Sequence, residues 1–533
     1  MMRNCNGGSR EGFRQHHISE TAGFKPQKRF IPILLHLSAL LISLFTVAST
    51  SFAETYVSGN ITSNTTWGVA GSPYIVTGDI TVYHTSRTYG EYFRKLTIEP
   101  GVEVRFNPGT GLYIGKDYSG TNGYYGALSA QGTAATPIIF TSNSTSALPG
   151  DWKGIYFRNP SKDSEGLLEH CIVEYAGHTH NANISLASAS PTVKNCVIQY
   201  SGSRGIYVDN GSSPLIQDTI FTGNADSPVN IHPGQVHRLS GNTGAGNGKN
   251  TIEVRGGNIT ASVTWAKQDF PYAITGDVTV YHTSRTYGEY FRKLTIEPGV
   301  EVRFNPGTGL YIGKDYSGTN GYYGALSAQG TEFAPIVLTS NAATPSPGDW
   351  KGIYFRNPTK DDLTILDNCV IEYGGSTDTN KSNLYVSGSS PAIKNSAIRH
   401  SSGSGILLIS AAPKIEHNLI SENGGDGINA DGNSSALIKE NTLYNNGGVS
   451  ISVSANSASK VNGNSGSGNG QDWIKVEGGN ITTSGTWSLQ AFPYIVTGDI
   501  TVYHTSRTYG EYFRKLTIEP GVEVRFNPGT GLY

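Results

Sequence analysis

An apolar-x-x-polar-x-apolar strand pattern returns every 22 or 23 residues, and this spacing constrains the fold more than any other feature of the chain. Val193-x-x-Cys196-x-Ile198 is followed by Ile216-x-x-Thr219-x-Phe221. A second run comprises Ile393-x-x-Ser396-x-Ile398, Ile415-x-x-Asn418-x-Ile420 and Ile438-x-x-Asn441-x-Leu443. Looser members, Leu168-x-x-Cys171-x-Val173 and Leu366-x-x-Cys369-x-Ile371, precede the runs. Second strands follow at Gly205-Ile206-Tyr207-Val208, Gly405-Ile406-Leu407-Leu408 and Gly427-Ile428.

A strand residue rises about 3.3 Å, so roughly 22 residues suffice for three short strands around a triangular section, returning one strand spacing, about 4.8 Å, higher. Strands then stack parallel, and every aligned position becomes a ladder along the axis, apolar inside and polar outside. The Cys, Thr, Ser and Asn position fits a corner where stacked polar side chains bond to one another and to backbone. Leucine-rich repeats have a similar period but need a Leu-x-x-Leu-x-Leu frame that is missing here. A β-sandwich would space its strands by 8–12 residues without holding such a register.

A longer repeat encloses the short one. Tyr83 to Thr133 recurs unchanged at Tyr281 to Thr331 and again from Tyr503 to Tyr533, at offsets of 198 and 222 residues. Each copy has a lead-in with Trp and Pro-Tyr: Trp67 with Tyr74, Trp265 with Tyr272, Trp487 with Tyr494. GDWKGIYFRNP is shared at Gly150 and Gly348, and the remainder has diverged, as recent duplication or gene conversion would leave it. The expected organisation is 1–53 export signal, 54–256 first unit, 257–479 second unit and 480–533 the start of a third. Ile252 to Val254 runs into Ile259 and Trp265 without a linker, which favours one continuous solenoid. The third unit stops within an expected strand, so the chain reads as a fragment or an interrupted reading frame.

Within the identical segment, Leu96 and Ile98, then Val102, Val104 and Phe106, alternate with polar residues around a Glu99-Pro100-Gly101 turn. Further strands are expected at 112–114, 127–130, 138–140 and 155–157. His84 to Lys95 is polar and Tyr-rich and is expected to be a loop.

Lys25, Lys28 and Arg29 precede an apolar stretch from Ile31 to Ala48, and Ser51-Phe52-Ala53 offers small residues to a signal peptidase. Cleavage after Ala53, hence secretion or surface display, is expected. The alternative is an uncleaved anchor, which would be the chain's contact with a membrane. A net charge of −2 gives no electrostatic reason to bind nucleic acid. Cys171, Cys196 and Cys369 sit inside strand patterns with no zinc spacing and read as small buried hydrophobes, and no cofactor is implied.

LTIEPGVEVRF, GALSAQGT, GDWKGIYF and SPTVKNCVIQYSGSRGIYV together resemble the right-handed parallel β-helix repeat proteins of the pectin-lyase-like superfamily, over nearly all of the mature chain. The resemblance implies an all-β right-handed parallel β-helix. It implies no single activity, because that superfamily includes polysaccharide lyases, glycosidases, epimerases and secreted surface proteins.

No polygalacturonase-like set (Asn-Thr-Asp, His-Gly, Arg-Ile-Lys) is present. Asp151, Asp349, Asp361 and Asp362 are the nearest acids, and the first two lie in PGDW turns, where Asp bonds backbone. Gly424 to Asp431 resembles a calcium nonapeptide but occurs once. His84, Arg87, Glu91 and Arg94 recur and read as a polar loop. The binding candidates are the tyrosines: Tyr83, Tyr89, Tyr92, Tyr113, Tyr118, Tyr124 and Tyr125, returning as Tyr281, Tyr287, Tyr290, Tyr311, Tyr316, Tyr322 and Tyr323. Alternation turns Tyr113 outward between Leu112 and Ile114, and Tyr156 outward between Ile155 and Phe157. Exposed Tyr suits sugar rings and protein partners, and duplicated faces suit multivalent binding. The expected role is therefore structural, adhesive or glycan-binding. The alternative is a lyase or hydrolase acting on an extracellular polymer, which needs carboxylates with Arg, Lys or His on neighbouring coils of one face.

Overall fold

A computed structural model describes residues 54–533, apart from 87–91, 118–122, 285–289, 316–320, 378 and 507–511. The proposed export segment and the candidates Tyr89, Tyr118, Tyr287 and Tyr316 lie outside the described residues, as do Arg87 and Glu91.

The chain winds into a parallel β-helix with three faces. In the first unit the first face stacks Glu103–Phe106, Ile138–Ser142, Cys171–Glu174, Val197–Gln199 and Ile220–Thr222. The second face stacks Gly111–Ile114, Gly154–Phe157, Ala182–Leu186, Arg204–Val208 and Val229–Ile231. The third stacks Arg94–Ile98, Gly126–Gln131, Leu167–Glu169, Thr192–Lys194 and Leu215–Gln217. The strands expected in the first unit all form, and the strand before the Glu99-Pro100-Gly101 turn begins at Arg94, two residues inside the expected loop. Inward positions such as Leu128, Phe140, Ile155 and Ile198 are fully buried and belong to one contiguous core. Each contributes roughly 1.5–3 kcal/mol relative to an exposed side chain.

The polar corner ladder is present inside the helix. The Asn418 amide N–H donates to Asn441 Oδ1 (3.0 Å), that of Asn441 to Asn464 Oδ1 (3.0 Å), and that of Asn464 to Gln490 Oε1 (3.3 Å). Side-chain amides complete it: Asn441 Nδ2 donates to the Ile415 carbonyl at 2.9 Å. Cys369 begins this ladder and Cys171 and Cys196 begin its counterpart in the first unit, all as free buried thiols, and burial pushes the Cys369 thiol up to about 12. A second ladder at the other end of the first-face strand links Asn423, Asn446, Asn469 and Asp472. The residue before each Cys, Thr, Ser or Asn rung of these ladders turns left-handed, as at Asn195 (φ 53°) and Glu440 (φ 55°), and bends the chain into the next strand.

The units join without interruption, but not face to face. Ile252–Val254 pairs with Val229–Ile231 of the second face below and with Tyr272–Ile274 above, which opens the first face of the second unit. New second and third faces start at Gly257–Ile259 and Val263–Trp265. Trp265 sits on the short 3-10 helix Pro233–Arg238, its indole N–H donating to the Pro233 carbonyl at 3.2 Å. Gln471–Glu477 performs the same hand-over from Val449–Ser454 to Tyr494–Val496. The repeated lead-in is thus the junction: Trp67, Trp265 and Trp487 lie against Tyr74, Tyr272 and Tyr494, ring centroids 4.8, 5.6 and 5.1 Å apart.

Candidate functional site

The outward side chains of the second face in the first unit form one ladder: Thr81, Tyr113, Tyr156, Ser185, Tyr207, Asn230 and Glu253. Tyr113 and Tyr156 meet edge to face at 6.0 Å. Ser185 donates its hydroxyl to the His180 carbonyl (2.8 Å), which helps fold the preceding loop so that the His180 ring stacks on Tyr156 at 4.2 Å. The Arg158 guanidinium lies 4.6 Å over the Tyr113 ring and 5.4 Å over Tyr156. Lys153 Nζ bonds Asp79 at 2.7 Å, and Arg158 lies 3.4 Å from Asp117. Gly154, at φ 106°, lets this strand approach: a Cβ there would stand 2.8 Å from the carbonyl oxygens of Ala182 and Asn183.

The second unit repeats the ledge with one change. Tyr311 faces Tyr354 at 4.9 Å and Tyr354 faces Tyr385 at 5.2 Å, so a third tyrosine takes the place of the His180 ring. Arg356 covers Tyr311 at 4.5 Å and Lys351 bonds Asp277 at 2.7 Å.

Burial raises the Tyr113, Tyr156, Tyr311 and Tyr354 phenols, so they remain neutral hydrogen-bonding hydroxyls at physiological pH. Burial, and secondarily the charge of Arg158, lowers His180. His180 Nε2 is buried without a hydrogen-bond partner.

A second aromatic group sits beside each ledge, where the chain leaves the second face. Lys116 Nζ lies 4.7 Å over Tyr83 and 6.0 Å over Tyr124, and Lys314 repeats this over Tyr281 (5.0 Å) and Tyr322 (5.9 Å). His84 lies beside Tyr92 and His282 beside Tyr290, at 6.0 and 5.7 Å. Tyr125 and Tyr323 are half-buried, and their carbonyls accept the amides of His84 and His282, each at 2.9 Å.

The candidate tyrosines therefore divide. Tyr92 and Tyr290 are exposed, at 58 and 57 %. Tyr124, Tyr311 and Tyr322 are half-buried. Tyr113 points outward as alternation requires, yet it is only 7 % exposed, because Tyr156, His180 and Arg158 cover it. Tyr83 and Tyr281 are likewise buried, under the lysines. Missing from the candidate set were His180, Lys153, Arg158, Tyr354 and Tyr385, together with Tyr156, although the last was already read as outward. Strand alternation in GIYFRNP could have found Tyr354. Nothing in the spacing could have found His180, whose place depends on a loop.

The acids are held structurally or stand apart. Asp151 accepts from Ser142 Oγ (2.7 Å) and the Leu148 amide (3.0 Å), and Asp349 accepts from Ser340 Oγ (2.6 Å) and the Ser346 amide (2.9 Å). In the glycine-rich turn Asp426 accepts the Val449 amide and Asp431 the Ser410 amide. His84 accepts the Ser86 amide at 3.0 Å and Arg94 donates to the Thr62 carbonyl at 3.0 Å. Asp361 borders a groove of about 500 Å³ with Lys293 and Lys414 on the third face of the second unit, where burial raises its carboxyl. Among the described residues no three His, Cys, Asp or Glu gather as a metal site.

The family described as right handed beta helix region matches residues 140–268 and 341–487, more than half of the chain. No curated protein matches the chain. Among solved structures it is similar to the A-module of mannuronan C-5 epimerase AlgE6 of Azotobacter vinelandii, at 11 % identity over 81 % of this chain and 91 % of that one, TM-score 0.24. It is also similar to the periplasmic alginate epimerase AlgG in a double-mutant form, at 10 % identity, 88 % and 84 % coverage and TM-score 0.16. Tailspike protein 3 of bacteriophage CBA120 is similar at 9 % identity, 86 % and 56 % coverage and TM-score 0.19. Such low identities and scores assign neither activity nor substrate.

Proposed function

The chain belongs to the right-handed β-helix family, and on that footing we propose that it is a secreted or cell-surface protein whose tyrosine ledges bind glycan, in a structural or adhesive role. One observation carries the reading. Both units build a similar outward ledge, in which an Arg lies over the first tyrosine, Tyr113 or Tyr311, beside a Lys–Asp pair; Tyr113 and Tyr354 are buried within it, and Tyr156, Tyr311 and Tyr385 are its half-buried rings. Aromatic rings offer an apolar platform to the C–H face of a sugar, while the hydroxyls, Lys, Arg and Asp supply donors and acceptors at its edge. Tyr92 and Tyr290, exposed beside His84 and His282, offer each unit a further aromatic ring.

The test is a glycan array probed with the full chain and with the double variant Tyr156→Ser, Tyr354→Ser. Serine already occupies this ladder at Ser185, so the exchange suits the fold. Binding that weakens tenfold or more supports the reading, and unchanged binding sinks it. Export is checked separately: the mature N-terminus recovered from medium or cell surface should be Glu54.

A second reading, an enzyme acting on an extracellular polysaccharide, is favoured by His180. A neutral imidazole with an unpartnered Nε2, next to two phenols and a guanidinium, has the composition of an acid–base site. Product release from acidic and neutral polysaccharides, abolished by His180→Ala with binding retained, would establish it in place of a pure binding role.

A further inference from the structure

We infer that the two ledges hold two different polymer strands, so that the protein bridges glycan chains instead of clamping one; the inference rests on the glycan-binding reading above. The hand-over at the junction dictates this. The ladder that carries Tyr113 and Tyr156 ends in the first unit at Glu253, and its next rungs are Ala273, Arg303, Thr339 and Glu372. Tyr311 is not among them. It lies one face further round, in the coil that contains Arg303. Because the winding keeps its sense, the second ledge is turned by one of three faces, about a third of a turn, and stands seven strand spacings, about 34 Å, along the axis.

A strand following the first ledge along the axis leaves the aromatic platform. It meets Arg255 lying over Tyr207 (5.1 Å) and then the ion pairs Arg303–Glu301 (2.6 Å) and Arg399–Glu372 (2.7 Å). To reach Tyr311 it would have to bend around a corner. The effective concentration of the second site for a strand already bound is set by whether the connection can span the gap, and it vanishes for a stiff polymer that cannot. Two similar ledges facing different directions are instead free to take separate strands.

The experiment uses the full chain and the single-ledge variants Tyr156→Ser and Tyr354→Ser. The probes are polygalacturonate and a neutral mixed-linkage glucan, each as long polymer and as hexasaccharide. Retained circular dichroism and melting temperature confirm folding, and Tyr156→Phe and Tyr354→Phe serve as variants that preserve the ring. With a hexamer, the wild type should bind two equivalents and each serine variant one, at unchanged affinity. With the matching polymer, each serine variant should keep its affinity within about threefold but lose at least tenfold of the light scattering or viscosity that the wild type induces. A hundredfold loss of polymer affinity in a single-ledge variant, without wild-type bridging, would mean both ledges clamp one strand and would overturn the inference. Absence of wild-type binding across the whole glycan array, these hexamers included, would instead remove the glycan reading itself.

Discussion

Trp152 lies flat on Phe106, with centroids 3.9 Å apart, and donates its indole N–H to the Glu174 carbonyl at 2.8 Å. Trp350 repeats both contacts with Phe304 and Glu372. Trp152→Ala therefore removes a fully buried ring and takes a donor from the Glu174 carbonyl. The expected cost is about 3–5 kcal/mol, seen as a lower urea midpoint and as faster hydrogen exchange in the coils that contain Phe106 and Glu174. His180 gives a pH signature. Its folded value lies below the ordinary imidazole value of about 6.5, so below that pH the unfolded chain binds more protons than the folded one. The stability it contributes is complete above about pH 6.5 and is lost as the pH falls toward its folded value. Melting temperatures at pH 7.5 and 5 should differ less in His180→Gln than in the wild type; equal differences would mean that His180 does not titrate this way. Alternation told which way Tyr113 points, but not that it is covered. Its cover comes from the next two coils, beyond any local pattern.

The coil is the element of this fold, and its corners are hydrogen-bonded as firmly as its strands. Asn441 Oδ1 accepts the amide N–H of Asn418, its Nδ2 donates to the Ile415 carbonyl, and its backbone N–H donates to Asn464 Oδ1. Asn441→Ala keeps the backbone bond to Asn464 but takes their partner from the buried Asn418 amide and the Ile415 carbonyl, each costing roughly 1–3 kcal/mol when left unsatisfied. The half-buried surface pair Lys95–Glu165, also at hydrogen-bond distance, is expected to contribute less than about 1 kcal/mol. Denaturant melts of Asn441→Ala and Lys95→Ala should thus separate clearly, the first losing several times more. The first ladder was legible because its members recur every 22 or 23 residues. The second was legible too, in Asn residues five positions after the first, as at Asn418 and Asn423 or Asn441 and Asn446. A search confined to apolar positions passes over it.

Across the whole molecule, stability is a sum of coils and of contacts between neighbouring coils. The junction around Trp265 is the place where two of three ladders restart, so coupling there depends on one continuing face and on the Trp265 contact with Pro233. Trp265→Ala should split a single calorimetric transition into two, one for each flanking unit; a single shifted transition would show that the continuing face suffices. Continuity through the junction was readable from the absence of a linker. The change of face was not, because spacing reports that strands exist and not which strand each one pairs with.

The hand-over also bears on how such a chain changes its length over generations. Long identical stretches in a gene invite unequal exchange, which adds or removes the material between equivalent points. Here those points fall in the same strands of successive units, and the offsets of 198 and 222 residues differ by 24, about one coil. Gain or loss of a coil or of a unit therefore leaves every remaining ladder in register and costs the fold nothing at the seam. Each unit gained also redirects the next ledge by one face, so copy number sets an orientation as well as a count, and three units restore the starting direction.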